Sequence, residues 1–362
     1  MPDNTVKYFD STMPGAPSLS GTAGALIGIL TACLQDGFGS VTVDSLVVAS
    51  DLATATVSGG HGWAMIGHVG PVIRISGASP GGLNADVRVT VTSATQFTFA
   101  TSGIADQTAT GTISAKRAPA GWSIAHSDTN KAAFKADSVE ATGLLLRVDD
   151  TQAIYARVIG YESMTGIDAG TNAFPAANLS IIKSTAADST TRPWRLIADH
   201  RLFYCFVAAN SDVWWDGHGF GDIASFKAGD AFQAFLCANT ATSSYGNSNL
   251  QALNNLTGKA LARAYTQTGG TIAAKLSSHA SVGGMTAYPS PVDNRFYCAP
   301  TDVWESTNQL RGILPGLYCP LHNAAPADGT VVDDVLPFDR TFFVQSLVSS
   351  HRRAIDLTGP WR

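Results

Sequence analysis

Short runs of alternating apolar and β-branched residues, separated by glycine-rich turns, recur along most of this chain and limit what it can fold into. Residues 53–57, 72–75 and 87–91 are examples. Runs of this length at regular spacing are typical of small β-sandwiches and barrels. Beyond Gly121 similar runs continue to residue 344, and 295–297 and 341–344 are among the predicted strands. The sequence therefore predicts a mainly β protein with β-sandwich or β-barrel-like domains.

Some of these runs predict particular elements. Residues 195–199 and 202–207 are both apolar and predict a hairpin that turns at His200 and Arg201. Residues 109–113 are predicted as the last strand of the first series. The glycine-rich run 217–221 lacks the lysine and the following helix that a phosphate-binding loop needs, and it predicts a flexible loop between strands.

One segment near the N-terminus has the period of a helix instead. Its apolar residues share one helical face: Ala23, Leu26, Ile27, Leu30 and Leu34. Ser18 and Ser20 are the candidate N-terminal caps, and the run 35–39 is expected to end the helix, with a glycine as its C-terminal cap. We therefore expect one short helix that ends near Cys33.

The residue pattern changes at about residue 40 and changes back at about residue 117, which predicts an insertion. Residues 1–39 are too few to fold alone, so we expect them to pack on the strands after Gly121. The main β-rich domain then comprises 1–39 and 117–362, with a further subdivision near 210–290 as an option. Residues 40–116 form a small β-barrel or sandwich module inserted in it, since surface loops accept insertions. The alternative is three domains in series.

Composition excludes several classes of protein. Charged residues make up 14% of the chain, against about 25% in typical soluble domains. Low charge with 45% hydrophobic residues argues against disorder and suits a protein that buries surface in an assembly. A net charge of −5 argues against direct nucleic-acid binding. The most apolar stretch, 23–34, is too short for a membrane span, and the first residues lack the pattern of a signal peptide.

The residues offer no recognisable catalytic or metal-binding constellation. No G-x-S-x-G, H-E-x-x-H or Walker-type motif occurs. The pairs at 149–150 and 333–334 are adjacent aspartates, which on a strand point to opposite faces, so we expect them to serve turns, with calcium binding as the alternative. His61 and His68 are not at a metal-ligand spacing. The sequence predicts no enzyme, no metal and no cofactor.

The spacing of the cysteines likewise indicates no metal-binding motif. Five cysteines are widely spaced and form no C-x-x-C pair: Cys33, Cys205, Cys237, Cys298 and Cys319. Neither a disulfide framework nor a zinc site fits this spacing. We expect the cysteines to be buried free thiols, in a protein that is made in a reducing compartment.

Tryptophans are the candidate contact residues. Trp214 and Trp215 follow a predicted strand and precede the glycine-rich run. We interpret Trp214 as a core residue and Trp215 as a subunit contact, with binding of a sugar face as the alternative. The apolar C-terminal stretch ends at Trp361, which we expect to dock on its own domain or on a neighbouring copy.

Two resemblances to known proteins suggest the biological setting of this chain. One set of segments resembles a small β-module of bacteriophage tail and fibre proteins: 55–57, 61–62, 72–78, 83–84, 89–90 and 97–99. This resemblance implies a spacer or a surface projection. A second set of segments, in order, resembles a family of tailed-phage virion proteins: 6–9, 13–24, 118–122, 146–150, 192–194 and 311–318.

The second resemblance implies a structural protein of the virion, made in the bacterial host cytoplasm and placed in the tail, baseplate, neck or capsid surface. Its expected partners are copies of itself, with a trimer first and a ring of six second, and other virion proteins. The alternative is a module that binds a glycan receptor on the host surface through loops near Trp214 and Trp215. A glycan-degrading enzyme is the third hypothesis.

Overall fold

A computed structural model describes residues 6–63, 69–210, 216–242, 257–278 and 301–314, and strands with alternating side chains make up about half of this part of the chain. The described strands form three antiparallel sheets around three apolar cores, accompanied by one short α-helix. The sheets curl, so the prediction of a mainly β protein with sandwich or barrel-like parts is confirmed. The predicted strands at 295–297 and 341–344 lie outside the described residues.

The N-terminal segment contributes an edge strand and the helix. Strand β1 is Lys7–Asp10, helix α1 is Ala25–Leu30, and a π-helical turn over Thr31–Asp36 continues it. The predicted C-terminal cap is confirmed, since Gly37 has φ of 76° and its N–H donates to the carbonyl of Ala32 at 2.8 Å.

The start and the buried face of this helix differ from the prediction. The helix begins after Gly24, and no side chain of its own N-terminal segment caps it, so the prediction of Ser18 or Ser20 is wrong. Ala23 precedes the first turn and is exposed, and Ile27 is half-buried. The residues that face the core are Leu26, Ile29, Leu30, Cys33 and Leu34.

Residues 38–117 form an eight-stranded curled sheet with the order β2-β9-β5-β6-β7-β4-β3-β8. The strands are β2 (Phe38–Thr42), β3 (Ser45–Ala49), β4 (Leu52–Thr56), β5 (Val69–Ser76), β6 (Asp86–Ser93), β7 (Gln96–Ala100), β8 (Gln107–Thr108) and β9 (Ser114–Arg117). The predicted strand at 109–113 is wrong, because this segment connects β8 to β9. All buried residues of the sheet's core lie between Val43 and Ala115.

A five-stranded meander follows, in sequence order. Its strands are β10 (Trp122–Asp128), β11 (Lys131–Ala136), β12 (Leu145–Asp149), β13 (Tyr155–Gly166) and β14 (Ala169–Ile182). The last two form a long hairpin that extends beyond β12, whose pairing with β13 stops at Tyr161.

The remaining strands form a ten-stranded sheet with the order β1-β15-β16-β17-β19-β20-β21-β22-β23-β18. They are β15 (Trp194–Ala198), β16 (Leu202–Val207), β17 (Asp216–Asp222), β18 (Ala224–Ser225), β19 (Ala234–Cys237), β20 (Lys259–Leu261), β21 (Ile272–Ser278), β22 (Thr301–Glu305) and β23 (Leu310–Leu314). Since β18 follows β17 after one residue and pairs with β23, this sheet curls back on itself.

The predicted hairpin of β15 and β16 is confirmed, but the flexible loop predicted at 217–221 is wrong. This segment is the buried strand β17. Its glycines lie opposite the large side chains of β16, where Gly217 pairs with Phe206, Gly219 with Tyr204 and Gly221 with Leu202. A Cβ atom on Gly219 would lie 3.0 Å from Cδ1 of Tyr204. The glycines leave space for a bulky neighbour and do not mark a turn.

Both faces of β16 are buried. Phe203, Cys205 and Val207 face the core that the ten-stranded sheet shares with the meander and α1. Tyr204 and Phe206 face a second core, inside the curl of the ten-stranded sheet.

Candidate functional site

The aromatic residues predicted to make contacts, Trp214, Trp215 and Trp361, lie outside the described residues. The same holds for His68, the aspartates at 333–334 and two of the five cysteines. The other three, Cys33, Cys205 and Cys237, are buried free thiols, as predicted. Burial raises the pKa of the Cys205 and Cys237 thiols to about 12, which makes them poor nucleophiles.

The structure places the adjacent aspartates at the end of β12, Asp149 and Asp150, in opposite environments. Asp149 lies near the surface and pairs with Arg147 at 3.2 Å. Asp150 is fully buried and pairs with the equally buried Lys183. The two carboxylates therefore form no catalytic dyad, as their adjacency predicted.

The role expected for Asp150 was nevertheless wrong. One of its carboxylate oxygens, Oδ2, accepts hydrogen bonds from the backbone N–H groups of Leu26 at 2.8 Å and Ile27 at 3.2 Å. It therefore caps α1 from a position 124 residues away. No local motif signals such a cap, because the two segments meet only in the folded chain.

His61 is a structural residue of the module. It is 2% exposed, its Nδ1 accepts from the N–H of Trp63 at 3.0 Å, and its Nε2 donates to the carbonyl of Ser93 at 2.8 Å. Its ring stacks on that of Trp63 with centroids 4.8 Å apart. Burial lowers the pKa of His61, so the ring favours the neutral form. Among the described residues, no group of three or more His, Cys, Asp or Glu side chains could hold a metal ion.

The candidate functional site is a surface of the module, which we call the uncharged face. It consists of the outward side chains of β3, β4 and β7 together with one residue of β8. Paired residues of antiparallel strands project to the same side of the sheet, so the strand register defines the members. They are Ser45, Val47, Ala49, Leu52, Thr54, Thr56, Gln96, Thr98, Ala100 and Thr108.

An apolar patch lies at one end of the uncharged face. Leu52 is 45% exposed and is flanked across the strands by Ala49 and Ala100. Val47, two residues before Ala49 on the same side of β3, is 40% exposed. The four side chains are contiguous, because directly opposed residues have Cβ atoms about 5 Å apart.

The remainder of the same sheet is charged. Arg74 on β5 and Asp86 on β6 form an ion pair at 2.7 Å on the outer side, and Arg88 and Lys116 also lie on this part of the sheet. The absence of charge on β3, β4 and β7 is therefore local. The other exposed large apolar side chains in the described residues, Val139 and Phe226, lie away from this sheet.

Sequence reasoning did not single out this surface. Residues 45–49 are apolar at both odd and even positions, so alternation shows that a strand is present without showing which side faces the core. A signal was nevertheless available in the unbroken series of uncharged residues that 52–57 and 95–100 share with 45–49.

The uncharged face offers methyl groups and hydroxyls but no titratable group, which suits association and does not suit acid–base catalysis. No helix in the described residues is long and apolar enough to cross a membrane. No family model matches this chain, and no curated protein matches it.

Proposed function

We propose that this protein is a structural component of a tailed-phage particle and that it acts by contacts with copies of itself and with other virion proteins. The ordered resemblance of its segments to virion proteins supports the setting. The low fraction of charged residues and the uncharged face support association as the mechanism. The proposal includes no catalytic activity, and it places the protein in the virion.

The observation that carries the proposal is the apolar patch at Val47 and Leu52. Burying either side chain in an interface contributes about 1.5–3 kcal/mol at most, and each is already partly covered. The surrounding threonines keep their hydroxyls available for hydrogen bonds across an interface. None of the side chains that make up this face is charged, so burying them removes no ion from water, which would otherwise cost several kcal/mol.

The expected assembly is closed. Rotational symmetry presents the same surface of every copy to its neighbour. In a closed ring the patch of each copy is buried in an interface. A trimer is the first choice and a ring of six is the second.

The test changes the patch alone. In the double variant Val47→Lys, Leu52→Lys, two ammonium groups per copy would enter the interface, so we expect at least a tenfold weaker self-association. Sedimentation velocity over a concentration series measures it. Val139→Lys is the matched control, because Val139 is fully exposed outside the uncharged face.

Two results would contradict the proposal. One is a wild-type protein that stays monomeric at micromolar concentration and does not incorporate into particles. The other is a double variant that associates and incorporates as the wild type does.

A further inference from the structure

One ion pair of this protein is removed from water completely. The side chains of Lys183 and Asp150 are both 0% exposed, and Nζ of Lys183 contacts Oδ1 of Asp150. Lys183 follows the end of β14, and Asp150 follows the end of β12. Nζ also donates to the carbonyl of Thr22 at 2.5 Å, just before α1.

The two oxygens of the Asp150 carboxyl group have different surroundings. Oδ1 meets the amine, whereas Oδ2 accepts the N–H groups of Leu26 and Ile27 in the first turn of α1. Two backbone donors on one carboxyl oxygen are the arrangement that stabilises the oxyanion of a tetrahedral intermediate in acyl transfer. The amine of Lys183 therefore contacts one oxygen of the carboxyl group, and the two backbone donors contact the other.

We propose that Lys183 and Asp150 condense to an intramolecular isopeptide bond in the folded protein. A proton first moves from Nζ to Oδ1, which leaves a neutral amine and a carboxylic acid. Nζ then attacks Cγ, and the negative charge develops on Oδ2, where Leu26 and Ile27 donate. A second proton moves from Nζ to Oδ1, the Cγ–Oδ1 bond breaks, and one water molecule leaves. No oxidant, reductant or activated donor is consumed.

The product fits the site without rearranging its polar partners. The amide carbonyl, formed from Oδ2, keeps the two N–H donors of α1, and the amide N–H keeps the carbonyl of Thr22 as its acceptor. Two buried charges disappear, so the cost of holding them out of water disappears with them.

Two further facts favour the condensation. Burial raises the pKa of Asp150 and lowers that of Lys183, which are the directions that favour the neutral acid and the neutral amine. The contact between the two groups also raises their effective concentration, which reaches about 10⁵–10⁸ M in well-oriented intramolecular reactions and opposes the mass action of water.

The bond would tie the ends of β12 and β14 and close a loop around the long β13–β14 hairpin. This inference does not rest on the proposed function, since its test measures covalent structure and not assembly.

The first test is the intact mass of the full chain under denaturing conditions. We expect it to be lower than the sequence mass by one water molecule. Peptide mapping is expected to give a branched peptide that contains both Lys183 and Asp150. The surface pair Lys131–Asp168, which is 22% and 55% exposed, should give no such peptide and serves as an internal control. Loss of water within an aspartate alone, as a succinimide, would give the same mass but no branched peptide.

The second test introduces a protease site after Ile167, in the turn between β13 and β14. After cleavage, the two fragments of the otherwise wild-type chain should migrate as one species on a denaturing gel. With Lys183→Arg, which keeps a positive charge but lacks a nucleophilic amine, they should separate. The full sequence mass, or separation of the fragments without the Arg substitution, would overturn the inference.

Discussion

At the scale of single residues, the buried charge of Arg311 is held by several hydrogen bonds. Arg311 is fully buried in the curl of the ten-stranded sheet. Its Nε and Nη2 donate to the two carboxylate oxygens of Asp230, both at 2.9 Å, and its Nη1 donates to Glu305 at 3.0 Å. The carbonyls of Arg263 and Phe232 accept further bonds. Such a guanidinium organises three separate segments of chain.

We expect Arg311→Met to lower the free energy of unfolding by about 3–5 kcal/mol, because it leaves two buried carboxylates without their counter-charge. Urea denaturation measures the change. In contrast, Lys131→Met should cost about 1 kcal/mol or less, since its partner Asp168 is 55% exposed and also pairs with Arg147. Equal losses for the two variants would refute this account of Arg311.

A second buried polar residue makes stability depend on pH. His218 lies on β17 opposite Cys205, and neither ring nitrogen has a hydrogen-bond partner within the described residues. Burial lowers its pKa to about 3. In the unfolded chain a histidine has a pKa near 6.5. Below that pH the unfolded state therefore binds a proton that the folded state does not bind.

The contribution of His218 to stability is therefore lost as the pH falls from about 6.5 towards 3. We expect it to remove about 2 kcal/mol between pH 7 and pH 5. In urea titrations at both pH values, His218→Leu should remove this part of the loss. The control His126→Gln, at a ring that contacts the carbonyl of Met164, should retain it. An unchanged pH dependence in His218→Leu would contradict the prediction.

At the scale of elements, the sequence was most informative where packing follows local alternation. The hairpin of β15 and β16 could be predicted because both strands are apolar and the turn between them is polar. The strand β17 could not, since glycine favours loops in isolation and its use here depends on Tyr204 and Leu202 in the neighbouring strand. The start of α1 was missed for a similar reason, because Asp150 caps it from a remote segment.

The candidate site shows the same limit. The composition of residues 45–49 and 52–56 was readable, but the side that faces solvent is set by which partner strands cover the other side. The predicted contact residues Trp214, Trp215 and Trp361 stay predictions.

The glycines of β17 allow a direct test at this scale. A Cβ atom on Gly221, where φ is +138°, would lie 2.2 Å from the carbonyl oxygen of Arg201 and 2.6 Å from Cα of Leu202. Since backbone atoms cannot move aside, we expect Gly221→Ala to cost about 3 kcal/mol or more in thermal or urea unfolding. Gly59→Ala, with open space around the added methyl group, should change stability little. A neutral Gly221→Ala would show that β17 tolerates a wider spacing.

At the scale of the whole molecule, the module and its surroundings have separate cores. The chain enters through β2 and leaves through β9, and these strands pair with each other, with Phe38 opposite Arg117. The returning chain then bonds to the end of the helical segment, where the N–H of Ala120 donates to Cys33 and that of Gly121 donates to Leu34. The insertion of the module stays a prediction, which deleting the module tests.

We predict that the chain remains folded when the module is deleted and Gly39 is joined to Gly121. Circular dichroism and cooperative unfolding of the shortened protein measure this, and residues 38–117 expressed alone provide the complementary sample. If the shortened protein does not fold in soluble form, the insertion hypothesis is wrong and domains in series are favoured.

The burial of β16 on both sides has a consequence for how its alignment is chosen. In most strands a slip by one residue is penalised because it moves apolar side chains into water. Here the slip would only exchange side chains between two apolar cores. The penalty must come from volume: Leu202, Tyr204 and Phe206 would leave the glycines of β17, and Tyr204 would meet His218 or Phe220. For β16 the correct alignment is selected by matching its large residues to the glycines of β17.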